Sequence, residues 1–265
     1  MDSNQINGKP AHWAAERAAA FQDQSVVDHY HLRPPYPPAV IETLAELATV
    51  SPRTVLDVGT GTGELARRLV GQVERVDALD RSEQMIARGR TLPGGNHPRL
   101  RWMLGAAETA PLDPPYALIM GGSSLHWLEW DTAFPRFESL LSPDGVIAIV
   151  RRGVAPTPWQ DELRELLRRY EPGRQQRRPD LVAELERRRL FREQGRREAD
   201  PVPVEQSIED YVGSFHSRSA FSPARMSSAD ATALDQQVRD LVRPWSREGM
   251  LRLRTTGSVV WGRVY

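Results

Sequence analysis

Cysteine is absent from the 265-residue sequence, so disulfides, thiolate metal ligands and a cysteine nucleophile are excluded together. Net charge is absent as well, 35 basic side chains balancing 35 acidic ones. Proteins that hold nucleic acid through its phosphates present a basic surface, and this balance argues against them. Lysine is nearly missing: Lys9 is the single one, and every other basic residue is arginine. No apolar run approaches the roughly 18 residues of a membrane span. Met1–Pro10 is polar where a secretory signal would carry an apolar stretch. A cytoplasmic protein with neither nucleic-acid nor membrane partners is expected.

What is present suits a globular chain with a substantial core. Apolar residues make up 40% and charged residues 26% of the sequence. In Ala11–Phe21, Trp13, Arg17 and Phe21 share one helical face. Pro34, Pro35, Pro37 and Pro38 then impose an extended turn before a helix over Val40–Ala48. From Thr54 strands and helices alternate. Thr54–Val58 predicts a strand, Gly59–Gly63 a turn and Glu64–Val70 a helix. Arg75–Leu79 is a second strand ending at Asp80, and Ser82–Arg90 a helix. Leu100–Leu104, Tyr116–Met120 and Gly145–Val150 supply three more strands, with a helix over Phe134–Leu141.

Beyond Pro156 the chain turns helical and rich in Arg and Glu, with apolar stripes at Trp159, Leu163 and Leu166 and at Leu181, Val182 and Leu185. Nine arginines between Arg174 and Arg197, interleaved with acids, predict a solvated helix face. Met250–Arg254 and Ser258–Tyr265, on either side of Thr255-Thr256-Gly257, predict a β-hairpin. The expected fold is α/β: a Rossmann-like, seven-stranded, mostly parallel sheet with an antiparallel terminal hairpin and an inserted helical cap.

The chemistry concentrates at Val55-Leu56-Asp57-Val58-Gly59-Thr60-Gly61-Thr62-Gly63. Glycines let a chain turn sharply from strand to helix and let a ligand approach the backbone. No lysine follows, which argues against a P-loop. Asp80 ends the second strand, about 20 residues on, where a ribose-binding acid belongs. His126 lies a few residues beyond the fourth strand, at the ligand-binding edge of such sheets, and is a candidate general base. His29, His31 and His216 are weaker candidates. No pair of histidines has zinc-site spacing with acidic partners, and no metal is expected. Asp113-Pro114-Pro115-Tyr116 spells a motif of adenine amino-methyltransferases, but it precedes the fourth strand where that motif must follow it, and it reads as a loop.

Together these segments resemble the class I S-adenosylmethionine-dependent methyltransferases, nearest to the small-molecule enzymes of the ubiquinone/menaquinone-biosynthesis and trans-aconitate type. The resemblance runs from about Tyr30 to Val150. It also rests on Tyr30-His31-Leu32-Arg33-Pro34-Pro35-Tyr36-Pro37, Leu79–Met85, Gly105-Ala106-Ala107-Glu108, Ser124-Leu125-His126-Trp127 and Leu141–Gly145. It implies a methyltransferase moving a methyl group to O, N or C of a small organic acceptor, in a monomer or homodimer. A non-methylating binding protein or cyclase, or an RNA methyltransferase, stays open as an alternative.

The resemblance further implies a site. Backbone at Gly59, Thr60 and Gly61 would face the methionine part of S-adenosylmethionine, and Asp57 would orient its ammonium. Asp80 would take the ribose hydroxyls. Arg81, Met85, Ala106 and Ala107 would surround the adenine, although an Asp is common where Ala106 stands. Gly121 and Ser123 would line the site after the fourth strand, and Arg33 would meet the cofactor carboxylate. The expected division is an N-terminal helical lid over 1–30, a cofactor-binding core over 31–152, a helical substrate cap over 153–245 and the hairpin over 246–265.

Overall fold

Seven strands form one sheet in the computed structural model, which describes residues 5–6, 9–10, 13, 19–171 and 180–265. They are β1 (Thr54–Val58), β2 (Arg75–Asp80), β3 (Leu100–Leu104), β4 (Tyr116–Gly122), β5 (Leu141–Val154), β6 (Arg192–Ser207) and β7 (Met250–Arg263). Their order in space is β3-β2-β1-β4-β5-β7-β6. The first five run parallel, and β7 is antiparallel to both its neighbours. The mostly parallel, seven-stranded α/β sheet with antiparallel end strands is as the sequence implied.

Strand alternation splits the core into two layers. On one face Leu56, Ile119, Ile147 and Ile149 meet Trp130, Phe134 and Phe137 of α5 (Trp130–Leu140). On the other, Val55, Leu118, Met120 and Val150 meet Val40, Ile41 and Leu44 of α2 (Pro38–Leu47), with Leu65 and Leu69 of α3 (Glu64–Leu69). Each such side chain, once fully buried, stabilises the fold by about 1.5–3 kcal/mol before chain entropy is counted. The chain leaves β1 toward β2 and β3 and returns to β4 on the other side. The carboxyl ends of β1 and β4 therefore diverge and open a crevice.

Two expectations need correcting. Residues 250–263 are one strand and not a hairpin, and Thr255, buried at 1% exposure, lies within it. Gly257 marks no turn: a Cβ there would sit 2.6 Å from Val40, so it is the point where α2 packs on β7. The antiparallel partner is β6, which falls inside the stretch expected to be a helical cap. Its burial alternates between exposed and half-buried, and Pro201 and Pro203 lie in it. This is how an edge strand avoids pairing with other chains.

The rest of that stretch is helical, with α6 (Gln160–Tyr170), α7 (Leu181–Arg187), α8 (Ile208–Gly213) and α9 (Ser228–Val242). Trp159, Leu166, Tyr211, Phe215 and Leu234 pack with Leu251 and Leu253 of β7 as a cluster of their own. One half of β7 thus supports the inserted helices and the other half closes the core sheet. Of the arginine-rich run, residues 174–179 lie outside the described residues. Arg187 and Arg188 pair with Glu184 on α7, as expected of a helix face, but Arg196 pairs with Glu193 along β6.

Of the expected N-terminal helix, residues 11–12 and 14–18 lie outside the described residues. Ala19–Gln22 forms a 3-10 turn and leads into α1 (Gln24–Tyr30), which Asp23 caps by accepting from the Ser25 N–H at 2.8 Å. Among the described residues no helix is long and apolar enough to cross a membrane.

Candidate active site

A cavity of about 230 Å³ lies at the carboxyl ends of β1, β2 and β4. Its floor is the glycine turn. Gly59 and Gly61 hold φ of +65° and +58°, a left-handed backbone that glycine adopts without strain. A Cβ at Gly59 would also collide with Ser124 at 2.5 Å. Both glycines line the cavity; Thr60 between them does not. Its N–H donates to the Leu79 carbonyl at 3.0 Å and its hydroxyl to Asp57 Oδ2 at 2.6 Å. The expected cofactor-facing role of Thr60 is thus a supporting one: the turn uses it to hold Asp57.

Asp57 lies one layer behind the cavity, 1% exposed. Its Oδ1 is buried and, among the described residues, has no hydrogen-bond donor. Burial pushes its carboxyl up to about 7, against the Thr60 hydroxyl and with help from the Asp80 charge. Asp80 is in the cavity wall. Its Oδ2 accepts from the Gly61 N–H at 2.7 Å and its Oδ1 from the Ser82 N–H at 2.8 Å. Burial pushes this carboxyl up too, opposed by those backbone donors. Each carboxylate oxygen keeps a further lone pair, so both can still accept a ligand hydroxyl. Ser82 in turn caps α4 (Glu83–Thr91) by accepting from the Met85 N–H at 3.2 Å, which brings Met85 to the cavity.

Arg33, Arg81, Ala107 and Ser123 also line the cavity, while Ala106 and Gly121 do not. Ala106 is turned away, its carbonyl accepting from the N–H groups of Thr109 and Ala110. A Cβ at Gly121 would meet Leu125 at 2.5 Å, so that glycine serves packing behind the wall. Ser123 has φ +60°, a strained backbone of the kind that concentrates at functional sites. Arg33 is half-buried. Burial pulls its guanidinium below the ordinary range, and among the described residues no carboxylate pairs with it. Its plane lies over the Tyr30 ring, 4.2 Å from the centroid.

His126 does not line the cavity. It lies in the 3-10 turn Leu125–Trp127, its ring 4.3 Å from that of Trp127 and 6.0 Å from that of Trp13. Trp127 is the member of that pair that reaches the cavity, together with Leu128. The imidazole packs against these two indoles, one residue along the chain from the cavity wall.

Gln22 and Trp127 are wall residues that the sequence did not single out, and Phe21 was expected only as part of the N-terminal lid. Phe21 and Trp127 face each other with centroids 6.1 Å apart, a contact between segments some hundred residues apart that no local pattern announces. Tyr30 was legible only as part of the segment ending in Arg33. Its hydroxyl would lie 3.0 Å from a Cβ at Gly61, so its ring closes over the glycine turn. Asp113 of the proline motif lies far from all this. It holds Arg75 and Arg101 at 3.0 Å each, as a loop residue before β4.

Comparisons with known proteins agree with this geometry. Residues 55–145 match the family model described as a methyltransferase domain. An uncharacterized methyltransferase of Mycobacterium tuberculosis is 34% identical over 119 residues, 44% of this chain and 46% of the relative. A trans-aconitate 2-methyltransferase of Acidovorax sp. is 31% identical over 140 residues, 51% of this chain and 50% of that enzyme. The chain spans about half the length of the curated relatives it matches. A solved structure from Anaeromyxobacter dehalogenans, provisionally assigned as a type II methyltransferase, superposes with a TM-score of 0.62 at 26% identity. It covers 88% of this chain and 98% of its own. Residues 55–145 thus match a methyltransferase domain, and with a glycine turn and an acid-ended second strand at the switch point of the sheet the chain is similar to the S-adenosylmethionine-dependent methyltransferases.

Proposed function

We propose that this chain binds S-adenosylmethionine in the cavity and transfers its methyl group to O, N or C of a small organic acceptor. The observation that carries this reading is the pair of carboxylates around the glycine turn. Asp80 offers two oxygens at the rim, and Asp57 holds a buried oxygen that lacks a donor. An ammonium, directly or through a water, supplies the donor that Asp57 lacks, and a ribose supplies the hydroxyls that Asp80 can accept. The half-buried Arg33, which among the described residues forms no ion pair with a carboxylate, suits the carboxylate at the end of the same ligand. Met85, Ala107, Val58 and Leu79 give the apolar surface that a purine ring requires.

When bound, S-adenosylmethionine supplies a methyl group already activated by the sulfonium charge, so alignment of the acceptor is the main demand on the protein. Trp127, Leu128, Phe21 and Tyr30 wall the cavity and keep water from the reacting atoms. A volume of about 230 Å³ is below the roughly 300–1,000 Å³ of ordinary small-molecule sites. Cofactor and acceptor together therefore need the Ala19–Gln22 turn to give way, which makes it the moving wall. The acceptor is a small molecule that enters from that side. The protein works in the cytoplasm, as a monomer or homodimer.

Calorimetric titration with S-adenosylhomocysteine tests the first half: no binding would remove the proposal. Incubation with S-adenosylmethionine carrying a tritiated methyl group, against a panel of small acceptors and RNA, tests the second. Label appearing only in RNA would overturn the acceptor class. Binding without any transfer would favour a non-methylating role.

A further inference from the structure

Arg33 brings a half-buried positive charge to the cavity, and one residue 184 positions away holds it there. Nε of Arg33 donates to Ser217 Oγ at 2.9 Å, and Nη2 donates to the Ser217 backbone carbonyl. The hydroxyl proton of Ser217 is committed elsewhere, donating to the Ser214 carbonyl at 2.6 Å. Its lone pairs are thereby turned toward Arg33, the orientation that a guanidinium donor needs. Ser217 has no solvent exposure at all. One edge of the guanidinium fork is thus saturated by a single residue, and the end formed by Nη1 and the second Nη2 proton is left for a ligand.

The holder is itself held. Ser217 ends the 3-10 turn Ser214–Ser217 that follows α8. His216 in that turn is hydrogen-bonded through Nε2 to Asp235 Oδ1 of α9 at 2.7 Å, and through Nδ1 to the Phe221 carbonyl at 2.9 Å. Its ring also packs against His29 of α1, with centroids 5.4 Å apart. Below the guanidinium, the Tyr30 ring blocks tilting out of the plane. A line of contacts therefore runs from the inserted helices to the glycine turn: α9, His216, Ser217, Arg33, Tyr30, Gly61.

We infer that Ser217 is a positioning residue: it fixes the Arg33 guanidinium so that its free end takes the carboxylate of the bound cofactor. The inserted segment thereby contributes to cofactor affinity without touching the cofactor. This rests on the proposal that the cavity binds S-adenosylmethionine, and the two can fail separately.

The test uses two ligands that differ in the relevant group. S-adenosylhomocysteine carries the amino-acid carboxylate, and 5′-methylthioadenosine keeps the adenosine and thioether but lacks it. By calorimetry, Ser217→Ala should weaken S-adenosylhomocysteine about tenfold, one charged hydrogen bond's worth, and leave 5′-methylthioadenosine unchanged. Arg33→Met should weaken S-adenosylhomocysteine further, and adding Ser217→Ala to it should then change nothing. Should the buried alanine upset folding by circular dichroism, Ser217→Cys keeps the volume with a weaker acceptor and should show the same selective loss. Equal weakening of both ligands would mean that Ser217 acts through the fold, and unchanged affinity that it does not act; either overturns the inference. If the wild type bound neither ligand, the proposed function would fall, and the inference with it.

Discussion

Asp57 and Asp77 are buried carboxylates on adjacent strands, one register step apart, since Leu56 pairs with Asp77 and Asp57 with Ala78. Their surroundings could hardly differ more. Asp77, with no exposure, has Arg75 Nε at 3.2 Å and Arg101 Nε at 3.1 Å, ion pairs by distance although off the line of a hydrogen bond. Its Oδ2 accepts from the Tyr116 hydroxyl at 2.7 Å. Asp57 has a single hydroxyl from Thr60 and, among the described residues, no cation. On one face of the sheet the protein has answered its buried charge; one register step on, on the other face, it has left one unanswered. A carboxylate costs several kcal/mol to bury without a partner, so an open one marks where an outside partner belongs.

The largest effect should come from the compensated carboxylate. Asp77→Ala leaves two arginines and a buried tyrosine hydroxyl without their acceptor, and should destabilise the protein by about 3–4 kcal/mol in urea unfolding. Its affinity for S-adenosylhomocysteine should be unchanged in the folded fraction; a large loss there would merge the two carboxylates into one system. Asp80→Ala should do the reverse. Its cost falls on binding, roughly 1.5–3 kcal/mol in calorimetry for the charged hydrogen bonds lost. Wild-type affinity in that variant, with the fold intact, would place the ribose elsewhere.

Asp57 should show itself through pH. With a folded-state value of about 7 against an ordinary 3.8, the folded form keeps a proton that the unfolded form has lost. That stabilisation is fully present below about pH 4, drains away as pH rises toward about 7 and is gone above it, about 4 kcal/mol at most. Asp57→Asn should flatten this part of the pH–stability curve. In the wild type, affinity for S-adenosylhomocysteine should rise between about pH 6 and 8 as the carboxylate forms to meet the ammonium. The same slope in the Asn variant would show that another group is titrating. The smallest effect is expected at His126. Because its ring packs against Trp127 and Trp13, His126→Asn should lower kcat by less than about tenfold. A loss in the 10²–10⁴-fold range of a missing base would return the imidazole to the chemistry.

The five parallel strands were legible because each holds a short apolar run between turn residues, and all but the edge strand β3 bury that run from both faces. Gly59, Gly61 and Asp80 were legible for a related reason: backbone geometry and a strand end confine them to few roles. Spacing does not say where a group points: the Thr60 backbone was expected to face the cofactor, and its N–H donates to Leu79, while His126 was expected near the acceptor, and its ring packs against Trp127 and Trp13. β6 was read as helix because its charges and prolines, correct for an edge, carry no apolar signature. The hairpin at 255–257 was read from a Thr-Thr-Gly sequence whose glycine answers to α2, a neighbour distant in the chain. Phe21 and Ser217 reach the site only by tertiary contact, and nothing in their own segments points there.

The placement of β7 bears on how the chain folds. It is the seventh strand in order along the sequence, yet it lies between β5 and β6. Until it is made and docked, β6 has no strand to pair with, and the cluster of Trp159, Phe215 and Leu234 lacks the apolar floor of Leu251 and Leu253. Pairings of such long sequence separation form late, because loop closure must be achieved before any contact rewards it. During that interval a long strand edge stands open to other chains. The arginines, glutamates and two prolines of β6, which serve no purpose in the cavity, are what keep the waiting edge from being used by a neighbour.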